Sequence, residues 1–198
     1  MISTAITNTP PTDLSLLLLT DVSGPVHVAA RQFCLDVIKE FYGFDYRPDW
    51  HADLDSLLCQ PRVNHYSMAN RGAFWVLLDN KGLIQATAGI RHLGWKPAIA
   101  AAFADRYGSG RDVASLWRVY VKRELRRQGL GRWLNAYSER EASARGFAHM
   151  YLHASADAKA TLGFWKASGY QAIGNFGDSV HFDKPLKPVQ LDQKESQL

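Results

Sequence analysis

Cysteine is scarce: the 198 residues hold two, Cys34 and Cys59. One disulfide is arithmetically open. Cys34, however, lies inside a helical apolar pattern and Cys59 at the end of another, which favours buried free thiols. Long hydrophobic runs are missing as well. The run Leu16-Leu17-Leu18-Leu19 is too short for a secretion signal, lacks a basic segment before it, and is flanked by Asp13 and Asp21. No stretch approaches the ~20 apolar residues of a membrane span. A reduced, cytoplasmic setting without a membrane partner is the expectation. The chain has no H-E-x-x-H and no C-x-x-C, so no metal is expected. It also lacks G-x-x-x-x-G-K-[ST] and a G-x-G-x-x-G after the first strand, which argues against Walker and Rossmann phosphate loops. There is no internal repeat and no linker-like stretch.

What is present is globular. Hydrophobic residues make up 46% and charged residues 21% of the chain, and the length suits one domain. That domain is expected over 13–184, between flexible arms at 1–12 and 185–198. Net charge is +4. Lys122, Arg123, Arg126, Arg127 and Arg132 fall in one short stretch, whereas the other basic residues are scattered among acids. Such a cluster fits a local polyanion, for example a phosphorylated cofactor, better than the long footprint of a nucleic acid.

Periodicity outlines the elements. Leu14–Thr20 reads as a short strand, Ala29–Phe41 as a helix ended by Gly43, and Asp49–Leu58 as a shorter helix. Ala73–Leu78 and Leu83–Leu93 flank the turn Asp79-Asn80-Lys81-Gly82 and form a hairpin. Gly94–Asp112 is ambiguous. Leu116–Val121 is a strand, and Gln128–Ala144 an amphipathic helix with Leu130, Trp133, Leu134 and Tyr137 on one face. A strand at His149–Ala154, a helix at Ala158–Ser168 and a pair at Tyr170–Ile173 and Ser179–Phe182 complete the order. Helices alternate with strands and hairpins stand at both ends. An α/β (α+β) fold follows, with a mixed central sheet and helices on both faces.

One junction carries chemistry. The strand ending at Val121 is followed by Arg126-Arg127-Gln128-Gly129-Leu130-Gly131-Arg132 and then the amphipathic helix. The first turn of a helix has free N–H groups and the positive end of the dipole, which together make an anion site. Glycine at 129 and 131 removes the Cβ atoms that would block close approach of a phosphate. The arginines add charge-assisted bonds. An arginine-rich helix start can also be plain solvated surface. A structural helix start, though, would favour Ser, Thr or Asp at its cap.

Arg126, Gly129 and Gly131 match [R/Q]-x-x-G-x-[G/A] at a strand-to-helix junction, and here the chain resembles the GNAT superfamily of acyl-CoA-dependent N-acyltransferases. The strand Tyr151-Leu152-His153-Ala154, the pair Phe164-Trp165 and Gly169-Tyr170 extend the resemblance downstream. It implies a mostly antiparallel sheet with a splayed strand pair, and acetyl-CoA as co-substrate. The backbone at Val119 and Val121 would pair with the pantetheine arm. The amides from Arg127 through Gln128, Gly129, Leu130 and Gly131 to Arg132 would hold the pyrophosphate. A neutral amine would attack the thioester directly in a ternary complex.

The sequence departs from the family where protons move. The position at which many members carry a Tyr acid is Trp165, and a Glu found in some members on the strand before the motif corresponds to Ser115. His153 is the candidate base, on one strand face with Tyr151 and His149, and His92 is the second candidate. For the acceptor side, Tyr42, Tyr46, Trp50, Tyr66 and Trp95 are candidate lining residues. Asp45, Asp49, Asp53 and Asp55 are candidate attractors of a cationic amine, or else a solvated surface. The expected partner is a small-molecule amine or amino acid derivative, and the chain is compatible with a homodimer. A non-catalytic acyl-CoA-binding module, and a transferase acting on a protein N-terminus or aminoacyl-tRNA, remain open alternatives.

Overall fold

The computed structural model describes residues 9–19 and 21–188, so positions 1–8 of the expected arm and 189–198 of the expected tail lie outside the described residues. The strands are β1 (Ser15–Leu18), β2 (Ala73–Leu78), β3 (Ile84–His92), β4 (Val113–Val121), β5 (His149–Ser155), β6 (Gln171–Phe176) and β7 (Ser179–Pro185). The helices are α1 (Pro25–Tyr42), α2 (Pro48–Ser56), α3 (Pro97–Ala102), α4 (Ala104–Tyr107), α5 (Leu130–Ala144) and α6 (Lys159–Ala167). The strands form one sheet in the order β1-β2-β3-β4-β5-β7-β6. Every neighbouring pair is antiparallel except β4 with β5. This is the mixed, mostly antiparallel sheet that the sequence implies.

Local chemistry explains the ends of α1. Pro25 opens it, where a missing N–H leaves nothing unsatisfied. Gly43 closes it at φ 68°, and its N–H donates to the Lys39 carbonyl at 3.0 Å. The helix buries Ala30, Cys34, Val37 and Ile38, a spacing of three and four. Phe74 and Val76 of β2 meet that stripe, whereas Trp75 and Leu77 point to the opposite face, against α5. Burial of each such side chain stabilises the fold by about 1.5–3 kcal/mol. The ambiguous stretch 94–112 becomes two short helices. Ala100 and Phe103 of this stretch pack with Leu93, Val113 and Tyr151.

The sheet is split at its centre. β4 and β5 pair only from Val113↔His149 to Ser115↔Tyr151. Beyond that point β4 stays with β3 as far as Val121, and β5 stays with β7 as far as Ser155. A β-bulge lies at the split. Gly89 faces Trp117 but Thr87 faces Tyr120, so Ala88 stands opposite both Arg118 and Val119. Arg118 holds φ 52° there. The extra residue bends β4 and increases its twist, turning it away from β5.

Candidate active site

The parting strands enclose a cavity of about 530 Å³. Leu116 to Tyr120 of β4 and Leu152 to Ser155 of β5 form its two walls, and Trp165 of α6, Tyr42 and Trp50 also line it. β4, one wall of the cavity, ends at Val121 and leads through Arg123–Leu125 into the basic turn.

That turn leaves a run of backbone amides open. Among the described residues, none of the amides from Arg127 to Arg132 donates to a backbone carbonyl, and the first such bond is Trp133 N–H to Gly129 O at 2.9 Å. Arg127 at φ 64° and Gly129 at φ 86° flank Gln128, which curls successive N–H groups inward as a nest. The first turn of α5 has no acidic residue and no side-chain cap, so its dipole end is open. A Cβ on Gly131 would meet only Phe164, at 3.7 Å. Packing within the chain therefore does not require glycine at 131. The Arg126 side chain is engaged elsewhere: Nε donates to the Val121 carbonyl at 2.9 Å, and Nη2 meets the Glu40 carboxylate at 3.3 Å.

The α1–α2 side of the sheet is polar around the split. His153 lines the cavity, 5.1 Å from the Trp117 ring and 5.5 Å from His181. The imidazole of His181 is fixed. Its Nε2 lies 3.0 Å from the Phe176 carbonyl and so carries the hydrogen, leaving Nδ1 to accept from the Tyr151 hydroxyl. Burial pushes His153 down to about 4, with His181, Lys96, Arg91 and Arg118 adding to the effect. It is therefore a free base at neutral pH. Trp117 is pinned by its Nε1, which donates to Ser115 Oγ at 2.6 Å.

Behind the bulge, Arg118 grips Asp53 with two bonds, Nε to Oδ2 at 2.9 Å and Nη2 to Oδ1 at 2.6 Å. The Tyr66 hydroxyl donates to the same carboxylate at 2.6 Å. Burial alone would raise the Asp53 carboxyl, but the Arg118 guanidinium overrides it and holds it well below the usual carboxylate range. Arg91 has no such partner. It is 1% exposed, its Nη1 contacts His65 Nδ1, and among the described residues its Nε and Nη2 have no hydrogen-bond partner.

The structure brings Val119, His153 and Trp165 to the cavity and leaves His92 out of it. His92 sits at the end of β3, stacked 5.5 Å from Trp95. Tyr42, Trp50 and Asp49 line the cavity, whereas Tyr66 is buried on Asp53 and Trp95 stacks on His65 at 4.2 Å. Tyr46 lies apart and donates to Asp55. Of the acids taken as attractors of an amine, Asp45 pairs with Lys39, Asp55 with Arg31 and Asp53 with Arg118. Sequence reasoning missed Arg91 and Lys96. Both cysteines are free. Among the described residues, no cluster of three or more His, Cys, Asp or Glu is placed to hold a metal ion, and no helix is long and apolar enough to cross a membrane.

Comparison with known proteins gives a consistent picture. The model of the acetyltransferase (GNAT) family matches residues 35–170. A GNAT-family acetyltransferase structure from Staphylococcus aureus Mu50 is similar at TM-score 0.64 and 16% identity, over 87% of this chain and 100% of that one. The PaiA N-acetyltransferase of Thermoplasma acidophilum, solved with coenzyme A, is similar at TM-score 0.59 and 12% identity, over 86% and 99%. The ribosomal-protein-S18-alanine N-acetyltransferase of Escherichia coli is similar at TM-score 0.55 and 17% identity, over 90% and 98%. A search of curated proteins by sequence gives no match.

Proposed function

The chain belongs to the acetyltransferase (GNAT) family, and from that premise we propose that it transfers the acetyl group of acetyl-CoA to a primary amine of a small molecule or amino acid derivative. The observation that carries this reading is the run of amides from Arg127 to Arg132 that find no backbone acceptor among the described residues, on the turn that follows β4. The pyrophosphate sits on those amides, including Gln128, Gly129, Leu130 and Gly131, as an anion on a helix N-terminus. The side chains of Arg127 and Arg132 add positive charge, while Arg126 supports the turn through Val121 and Glu40. The pantetheine arm runs along the β4 edge at Val119 and Val121, where β5 has departed. The coenzyme A bound to the Thermoplasma relative supports the ligand class.

The thioester then lies at the bulge, where Arg118 and Val119 are out of the regular ladder. A backbone amide released there is suited to the oxygen that gains charge in the tetrahedral intermediate. The acceptor amine enters from the α1–α2 side and attacks the carbonyl carbon. His153 takes its proton, the C–S bond breaks, and coenzyme A leaves as thiolate. Trp165 holds the place of the family's usual acid, and an indole N–H does not transfer a proton at neutral pH. A thiol of pKa about 8.5 is a good enough leaving group to depart without one. His92, outside the cavity, takes no part in this scheme. Acetyl-CoA consumption against a panel of amines tests the proposal. Tight coenzyme A binding without turnover on any amine would instead favour a binding module.

A further inference from the structure

Among the described residues, Lys96 is the only lysine that lines the β4–β5 cavity. Its backbone is held on both sides. The Lys96 N–H donates to the Leu93 carbonyl at 2.8 Å, its carbonyl accepts from the Ala100 N–H at 2.9 Å, and Pro97 opens α3 directly after it. The half-buried side chain reaches the indole of Trp117, with Nζ 5.0 Å from the ring centre. Lys39 and Lys184 each meet a carboxylate, at 2.8 Å and 2.7 Å, but among the described residues the Lys96 Nζ has none within ion-pair distance. Asp53, whose charge reaches it, is already gripped by Arg118. Burial pushes the Lys96 ammonium below the usual lysine range, and Arg91 and Arg118 add to the effect. Such a lysine carries a larger neutral, nucleophilic fraction than one in water.

The reaction asks the same things of an acceptor: a primary amine, neutral, on the α1–α2 side of the sheet and near the base. Lys96 supplies the amine inside the cavity. Trp117, on which it rests, packs on the α1–α2 side and directly precedes Arg118 at the bulge, where the thioester is placed. His153 meets the same indole, 5.1 Å from ring to ring, and lies close enough for the Lys96 charge to lower its basicity. Resting on the acetyltransferase reading above, we infer that Lys96 is a self-acetylation site: when acetyl-CoA is bound and the acceptor side is empty, the Lys96 Nζ attacks the thioester itself. The N–C bond forms, the C–S bond breaks and coenzyme A leaves as thiolate. The proton shed by the nitrogen passes to His153. The product is a neutral acetamide on the cavity wall. It removes one cation beside His153 and takes up room on the acceptor side.

The test uses the full-length protein with acetyl-CoA and no added amine. Intact-mass measurement and peptide mapping follow acetylation at each lysine. The expected result is one acetyl group per chain, on Lys96, at a rate that saturates with acetyl-CoA, because amine and thioester react within one complex. The exposed Lys81, Lys166 and Lys187 report bulk chemistry, and their slower acetylation should rise linearly with acetyl-CoA. Excess coenzyme A should suppress the reaction at Lys96 and leave those three unchanged. His153→Ala should slow acetylation of Lys96 by about 10²–10⁴-fold, the effect of losing a positioned base. Lys96→Arg, which keeps the charge, should abolish the saturable modification. A rate at Lys96 that does not saturate, that is no faster than at the exposed lysines, or that is unchanged in His153→Ala overturns the inference. Turnover of an added amine with Lys96 unmodified leaves the acetyltransferase reading intact and sinks this one. Saturable acetylation of Lys96 with no amine turned over does the reverse. Absence of acetylation at every lysine overturns the inference as well.

Discussion

Gly131→Ala separates cofactor binding from folding more cleanly than any other change in the turn. Gly129 would confound the two, because at φ 86° an alanine is strained whatever the cofactor does. Gly131 lies in the first turn of α5 with a helical backbone, and its added Cβ meets only Phe164 at an ordinary 3.7 Å. Alanine is favoured over glycine in a helix by about 0.5–1 kcal/mol. In a chain of this size that raises the melting temperature by about 1–4 °C. With acetyl-CoA the sign reverses. Amide-to-phosphate bonds need close approach, with N···O about 2.7–2.9 Å, and the methyl group stands in that path. Losing one charge-assisted bond of about 1.5–3 kcal/mol raises KM for acetyl-CoA by about 10–150-fold. Thermal melts and steady-state kinetics on the same preparation read both numbers. Gly163→Ala is the control, a helical glycine with nothing within 4 Å of its Cβ position and outside the cavity lining. A raised Tm with unchanged KM in Gly131→Ala would refute the placement of the pyrophosphate.

His153→Ala should lower kcat by about 10²–10⁴-fold while leaving coenzyme A affinity unchanged, and unaltered turnover across the pH range would remove it as the base. Because His153 in the free enzyme is held down to about 4, the acid limb of kcat/KM should extend toward that value instead of breaking near 6.5. Asp53→Asn breaks a buried bidentate pair and should cost about 3–5 kcal/mol, seen as a lower urea midpoint; a loss under about 1 kcal/mol would show that the pair contributes little. His65 and His153 are both lowered to about 4 by burial, so between about 6.5 and 4 the unfolded chain binds protons that the folded chain does not. Stability is therefore fully present above about pH 6.5 and falls as pH drops through about 4, and a flat urea midpoint between pH 7 and 4.5 would contradict the burial of these rings.

The strand, turn and helix proposed to hold the cofactor were legible because their signals are local. Leu130, Trp133 and Leu134 repeat at helical spacing, and the two glycines stand where a strand ends and that helix begins. The alternation of His149, Tyr151 and His153 with Met150 and Leu152 placed three polar rings on one face of β5. The acceptor side depends on distant partners, and there local pattern misled. Asp53 reads as one of several surface acids, yet it meets an arginine 65 residues away. Arg91 reads as the polar end of a hairpin strand, but Tyr66 and Trp117 cover it, and the first of these comes from a segment with no periodicity. The bulge was invisible for a different reason. It is centred on an arginine at φ 52°, and the sequence 116–121 contains no glycine, asparagine or aspartate to announce a left-handed residue.

That bulge links cleft to chemistry. In an uninterrupted strand, Trp117 and Tyr120 would point to opposite faces, because side chains alternate. Here both pack on the α1 side with Tyr66 and Phe74, while Leu116, Val119 and Val121 pack on the α5 side. One inserted residue makes this possible and leaves Arg118 beside Asp53, on the same side as Trp117. The same insertion turns β4 away from β5, so the opening of the cleft and the assembly of its polar wall have one cause. A regular β4 would close the gap and would also move Tyr120 off the wall. The strain at Arg118, about 1–2 kcal/mol for a left-handed non-glycine residue, is offset by a bidentate bond to a carboxylate that has no other way to be buried. The arginine at the bulge is thus satisfied within the chain, and the arginine one strand away is not.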